Sequence, residues 1–417
     1  MRKLLLCLLC LGTLTAMMAQ APATPLTFTN TYNGVPLPIP IDSADTAVLM
    51  TITVNRSITI TKVTASVQVS YPAVGDLNVY LFSPTGTRVK LLERNCGTLK
   101  NIDTTFDDAA TTKYADFCPA EAGRGPYSGN EPLRNVNGQD SLGVWTLAVE
   151  NNGSDTRTGS AVGFSLTFAG TAKTTAAICP QCIRDSAAPL ATDKPIAPGQ
   201  IISVFGYNLG PQEGISNAGT NWPTWTDGTV VRINGIDAPM RYISFYRIDV
   251  QVPTQTPVPE PTATIPTTKV SVFRNGVSTN EIDMAIAAAS PAVFTPSGLG
   301  TGQANAFNPD GTANSGSNPV SRGSTISVFV NGLGVTEPTW AAGQTTPAEV
   351  TFVPVLPVTA TIGGVVANVV RAYLSPGRIG VFVVDVTVPA AVRPGVAEVL
   401  VSAGWRTSQV GATIQVR

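Results

Sequence analysis

Leu77-Asn78-Val79-Tyr80-Leu81-Phe82-Ser83-Pro84-Thr85-Gly86-Thr87 reads as a short strand running into a tight turn. Its apolar residues recur on alternate positions, the period at which side chains leave one face of a sheet. Pro84 pre-sets φ for a turn and Gly86 is free to take φ > 0. Segments of the same kind flank it: Val48-Leu49-Met50-Thr51-Ile52-Thr53-Val54, then Val63 to Val69, and Trp145-Thr146-Leu147-Ala148-Val149. Each is rich in β-branched or aromatic residues and bounded by Gly, Pro, Asn or Ser, as in the half-buried strands of a sandwich or barrel. The sequence holds 38 Gly and 33 Pro in 417 residues, a density that disfavours long helices. The longest helix-compatible stretch, Met284 to Ser290, is two turns. The expected fold class is therefore all-β.

Beyond a Thr/Ala/Gly-rich run at Ala169 to Ala177, which reads as a linker, the chain repeats itself. Gly199-Gln-Ile-Ile-Ser-Val-Phe-Gly-Tyr-Asn-Leu-Gly210 matches Gly323-Ser-Thr-Ile-Ser-Val-Phe-Val-Asn-Gly-Leu-Gly334 at an offset of 124. Asp249-Val-Gln-Val-Pro253 matches Asp385-Val-Thr-Val-Pro389 at an offset of 136. The drift means loops of unequal length between equivalent strands. So long a period suits a duplicated sandwich rather than a solenoid. Gly298 to Gly323 reads as a connecting loop, and the prolines from Pro253 to Pro266 as an exposed extended segment.

Lys+Arg number 26 and Asp+Glu 27, so no basic excess exists to neutralise phosphates and nucleic acid is not an expected partner. Histidine is absent, which excludes Ser-His-Asp and Cys-His catalysis and His-ligated zinc from the residues of this sequence. No Ser-x-x-Lys, Asp-Thr-Gly or Asp-Ser-Gly occurs. Arg2 and Lys3 precede an uncharged run from Leu4 to Met18, and a cut follows Ala19 or Ala21 in the expected signal peptide, residues 1–19. The run is short for a membrane span, so the expected mature chain is secreted or at the cell surface, without a span.

Four cysteines remain after such a cut. Cys96 and Cys118, 22 positions apart, are expected to bridge, with a loop-closure stabilisation of about 3 kcal/mol. Cys179-Pro180-Gln181-Cys182 has C-x-x-C spacing but no helical pattern after it, so a linker disulfide is expected in preference to a redox pair.

Four ordered blocks carry a family resemblance. They are Val74-Gly75-Asp76 through Thr87, Thr104-Thr105-Phe106-Asp107-Asp108-Ala109-Ala110, Gly125-Pro126-Tyr127-Ser128-Gly129, and Gly143-Val144-Trp145 through Val149. Together they resemble the P domain (P/Homo B domain) of proprotein convertases and subtilisin-type proteases. Ala197-Pro198-Gly199 through Gly210, Ser290-Pro291-Ala292-Val293-Phe294, Gly302-Gln303-Ala304, Asn308-Pro309-Asp310-Gly311 and Asn318-Pro319 resemble a C-terminal region of secreted acidobacterial proteins with IPT/TIG-like immunoglobulin folds. The implied organisation is a jelly-roll P-domain sandwich at 25–170, a linker at 171–190, and Ig-like sandwiches at 191–290 and 291–417.

In the family this domain supports a subtilisin-type catalytic domain, for which the present sequence has neither histidine nor room. The resemblance therefore implies a non-catalytic accessory or binding protein that assists or docks to a separate protease. An extracellular adhesion or carbohydrate-binding protein is the alternative, with a surface polysaccharide or protein as partner. A third reading takes the P domain as a mark of serine-type endopeptidase activity without its own triad. The family also implies calcium: either some of Asp76, Asp107, Asp108 and Asp140 ligate it, or Asp76 caps a turn and the others are solvated loop acids. Trp222 and Trp225 either form a platform for sugar rings or cover a core edge.

Overall fold

The computed structural model describes residues 25–32, 38–41, 46–119, 125–153, 157–191, 194–217, 219, 221–260 and 265–417. The expected signal peptide, with Cys7 and Cys10, lies outside them. The only α-helix among them is the single turn Tyr114–Phe117, and no helix is long and apolar enough to cross a membrane. The chain is all-β.

The first sandwich is built from strands between Pro25 and Ala172. Thr46–Val54, Gly143–Asn151, Leu77–Phe82 and Arg88–Glu93 form one sheet in that order, all antiparallel. Pro25–Thr31, Gly159–Ala172, Ile58–Ser70 and Ile102–Phe106 form the other, with Ile39–Ile41 also on Gly159–Ala172. The alternation in Thr46–Val54 has the expected effect: Val48, Met50, Ile52 and Val54 are buried while Leu49 is 59% exposed. Between the sheets Trp145 is fully buried, its ring 5.0 Å from that of Phe168, and its indole N–H donates to Ser141 O at 2.9 Å. That bond satisfies the one polar atom of the largest core side chain.

The second sandwich pairs a sheet ordered Ala177–Asp185, Ile201–Tyr207, Arg247–Gln251, Met240–Ile243 and Ile215–Ser216 with a second built on Thr229–Ile233 and Thr267–Arg274. Residues 177–185, expected within the linker at 171–190, are thus a strand. Pro180 and Gln181 sit in an irregularity between Ile178 and Ile183, with Gln181 at φ 59°; a proline and a left-handed residue erase the period-two signal that betrays a strand. The helix-compatible Met284–Ser290 also resolves differently, since Ile282–Ala285 is a strand on Thr267–Arg274. Seven residues, six of them apolar, are too few for periodicity to separate helix from strand.

The third sandwich holds the second copy of the repeat. Thr325–Asn331 takes the place of Ile201–Tyr207, and Phe382–Thr387 that of Arg247–Gln251. Both copies put Ser opposite Asp: Ser203 faces Asp249 and Ser327 faces Asp385. The two sequence offsets are thereby reconciled, because the 12 additional residues lie between the paired strands. The Gly298–Gly323 stretch is anchored by Asn314, whose amide bonds both the N–H and the carbonyl of Gln415 at 2.7 and 2.9 Å.

Candidate functional site

The four aspartates singled out for calcium are placed apart, apart from the sequence neighbours Asp107 and Asp108, and each is occupied. Asp76 closes the 3₁₀ turn Val74–Asp76 and pairs with Arg157 at 2.8 Å. That turn rests on the main chain of Gly97, where a Cβ at Gly75 would lie 2.7 Å from Gly97 Cα; only glycine fits. Asp107 takes the ammonium of Lys62 at 2.8 Å and the N–H of Ala109 at 2.9 Å. Partial burial works against its charge, but these two donors outweigh burial and hold its carboxyl below the ordinary 3.8. Asp108 accepts from Leu133 N and Arg134 N at 2.8 and 2.7 Å, capping the turn Leu133–Val136. Asp140 accepts from Ser57, Lys173 and Leu142 N.

Calcium needs six to eight oxygens converging on one point. Here each carboxylate fastens two chain segments through N–H, hydroxyl or cationic donors. Among the described residues no three or more His, Cys, Asp or Glu are grouped to hold a metal ion. These residues do not fit a shared calcium centre.

Both expected disulfides are present. Cys96–Cys118 and Cys179–Cys182 each have Cα atoms 5.2 Å apart. Cys179 and Cys182 are buried with Leu142 at the junction of the first two sandwiches, against Val144, Phe205 and Tyr207. Tyr207 ends its repeat strand there. The equivalent position in the second copy, Asn331, faces the second sandwich instead: its side chain bonds both main-chain groups of Ile201 at 2.8 and 2.9 Å and Asp185 at 2.9 Å. Gln200 completes this buried network, donating to Asp185 at 2.6 Å and accepting from Ala197 N at 2.7 Å. The same strand end in each copy thus joins its sandwich to the one before it.

The tryptophan pair is split. Trp225 is 62% exposed. Trp222, half-buried, lines a cleft of about 390 Å³ between the second and third sandwiches, and Trp225 does not. Arg241, Phe294, Asn305, Phe329 and Arg378 form the rest of its chemically distinctive wall. The Arg378 guanidinium lies 4.8 Å from the centre of the Phe329 ring. Gln251 holds the two walls together, accepting from Gly343 N at 2.7 Å and donating to Gly199 O at 2.9 Å, and Trp222 N donates to Gly343 O at 2.7 Å. Sequence reading found Trp222 but not its partners, which come from separate segments between Arg241 and Arg378. A larger groove of about 730 Å³ between the first and second sandwiches carries charges of both signs, Arg184 and Lys194 with Glu281 and Asp283.

No curated protein matches the chain. Among solved structures, the serine protease of Aeromonas sobria in complex with its chaperone is 19% identical over 36% of this chain and 28% of that one, with a TM-score of 0.24. The chain therefore spans about 28% of that protease's length. The Bacteroides ovatus protein SGBP-B, from a mixed-linkage glucan utilization locus and bound to a mixed-linkage heptasaccharide, is 11% identical over 90% of this chain and 64% of that one, with a TM-score of 0.25. A family model matches more directly: residues 60–168, from the Ile58–Ser70 strand to the Gly159–Ala172 strand, match the proprotein convertase P-domain. What this chain shares with the proprotein convertase P-domain family is residues 60–168, the part of its first sandwich from the Ile58–Ser70 strand to the Gly159–Ala172 strand.

Proposed function

We propose that this protein is a secreted, non-catalytic accessory module that binds a separate subtilisin-type protease through its P domain. The observation that carries this reading is the P-domain match at residues 60–168 in a sequence without histidine. The paired cysteines agree with an oxidising, extracellular setting. We read the second and third sandwiches as IPT/TIG-like immunoglobulin folds that hold the P domain away from a surface.

No aspartate of the first sandwich is assigned to chemistry in this reading. Asp76, Asp107, Asp108 and Asp140 fix its loops through internal donors. A purified subtilisin-type catalytic domain, passed over the immobilised full chain, is expected to bind saturably, and competition by an isolated P domain from a convertase would reduce the signal. Absence of binding at micromolar protease, or hydrolysis of protein substrates by the chain alone, would overturn the proposal.

A further inference from the structure

The cleft between the second and third sandwiches is not absorbed by a role centred on the P domain, and its chemistry is selective. Arg241 and Arg378 both open into it and are exposed. Neither has an acidic partner among the described residues, whereas Arg232, Arg247, Arg274 and Arg371 are each paired with an aspartate. No carboxylate is among the described residues that line the cleft. In a chain whose formal net charge is −1, this is a local concentration of positive charge. The Arg378 guanidinium carbon lies over the Phe329 ring, and its N–H groups have no acidic partner among the described residues, so they can meet a carboxylate. Trp222 and Phe294 supply apolar surface beside it, and Asn305 an amide that can meet hydroxyl groups.

We infer that this cleft binds a carboxylate-bearing sugar, a uronic acid unit of an acidic polysaccharide. A hexuronate carries a carboxylate, hydroxyls and a C–H face on one ring, and so matches guanidinium, amide and aromatic wall within one site. The volume of about 390 Å³ lies in the range of small-ligand sites, roughly 300–1,000 Å³. An extended acidic peptide matches less well because it seeks main-chain partners, and several of those around the cleft are already engaged. Trp222 N bonds Gly343 O, Asn305 N bonds Phe294 O, Phe329 N bonds Asn305 O, and Gly377 N bonds Thr346 O. The bond from Gly343 N to Gln251 and the bond from Trp222 N to Gly343 O cross the junction and hold the walls in place before any ligand arrives. The inference is independent of protease binding, which is assigned to the other end of the molecule.

Calorimetric titration of the full chain with a galacturonate tetramer tests it, with the fully methyl-esterified tetramer and an oligoglutamate peptide as comparisons. The free-acid tetramer is expected to bind, the ester to bind at least about tenfold more weakly, and added salt to weaken the acid form. Arg378→Gln and Arg241→Gln are each expected to lower affinity about tenfold, the size of one charge-assisted hydrogen bond, with unchanged thermal midpoints because both side chains are exposed. Acid and ester binding equally, the double variant binding like wild type, oligoglutamate binding as tightly as the sugar, or no binding at millimolar tetramer would each overturn the inference. Protease binding should be the same in the double variant, so the two proposals fail separately.

Discussion

The hydroxyl of Ser203 donates to the carboxylate of Asp249 at 2.8 Å across neighbouring strands, and Ser327 donates to Asp385 at 2.5 Å in the second copy of the repeat. Asp249 and Asp385 are 6% and 4% exposed. A buried carboxylate is tolerated only where donors compensate for lost water. Arg247 and Arg371 supply a second donor in each case, although Arg371 comes from the adjacent strand Val365–Leu374. Duplication has therefore conserved the Ser–Asp pair within the molecule and supplied the cation from two different places.

Ser203→Ala and Ser327→Ala are each expected to destabilise their own sandwich by roughly 1–3 kcal/mol, the cost of removing a donor from a buried charged group. Chemical denaturation measures this. Midpoints unchanged in both variants would show that the pair is replaceable.

Asn331 is the joint between the second and third sandwiches. Asn331→Ala removes both bonds to Ile201 and one to Asp185, and leaves the buried Ile201 N–H without its partner across the junction. Scanning calorimetry should then resolve two transitions where the wild type couples them. A variant profile superimposable on wild type would contradict this.

Asp185 gives the junction a pH dependence. Burial pushes its carboxyl up, and the bonds from Asn331, Ala187 and Gln200 offset this only in part. The unfolded chain releases this proton near 3.8, while the folded chain keeps it to a higher pH. Stability from this group therefore falls as pH rises from 3.8 to the raised folded value, then levels off. Asp107 has the opposite sign: its pairing with Lys62 stabilises above 3.8 and is lost as the pH falls through its lowered value. Lys62 is 49% exposed, so that contribution is below about 1 kcal/mol. Subtracting the pH–stability curve of Asp185→Asn from that of wild type should leave a curve falling with pH above 3.8; a rising difference would refute the assignment.

The Cys96–Cys118 bridge closes a loop of 22 residues. Replacing both cysteines by serine should lower the stability of the first sandwich by about 3 kcal/mol, read as a lower midpoint of its transition, with the second and third sandwiches unaffected. Excess calcium and chelator should give the same melting temperature, because each of the four aspartates is already held by internal donors. A rise with calcium would reveal a site that the described residues do not form.

Strands whose one face meets water were legible, since burial of every second residue is written into Thr46–Val54 as alternation. Ala177–Asp185 was not, because Pro180 and the bulge interrupt the period, and its burial comes from both neighbouring sandwiches. The repeat was legible from Gly199–Gly210 and Gly323–Gly334, and the structure adds that Gly199 and Gly323, at φ 78° and 82°, precede the two equivalent strands. The cleft was hidden for a different reason. Arg241, Asn305 and Arg378 lie in separate segments with no motif of their own, and only the packing of one sandwich against the next brings them to one wall. Sequence proximity misled in the opposite direction at Asp107 and Asp108: neighbours in the chain, they point to Lys62 and to the Leu133–Val136 turn respectively.

The central claim, a P domain acting without a catalytic site of its own, is tested most directly by one assay. The half-life of a subtilisin-type protease at elevated temperature is measured with and without an equimolar amount of the purified chain, alongside the chain alone on the same fluorogenic protein substrate. The account predicts a longer protease half-life in the mixture and no hydrolysis by the chain alone. Hydrolysis by the chain alone that a serine-reactive inhibitor abolishes, or a protease half-life indifferent to the chain, would contradict it.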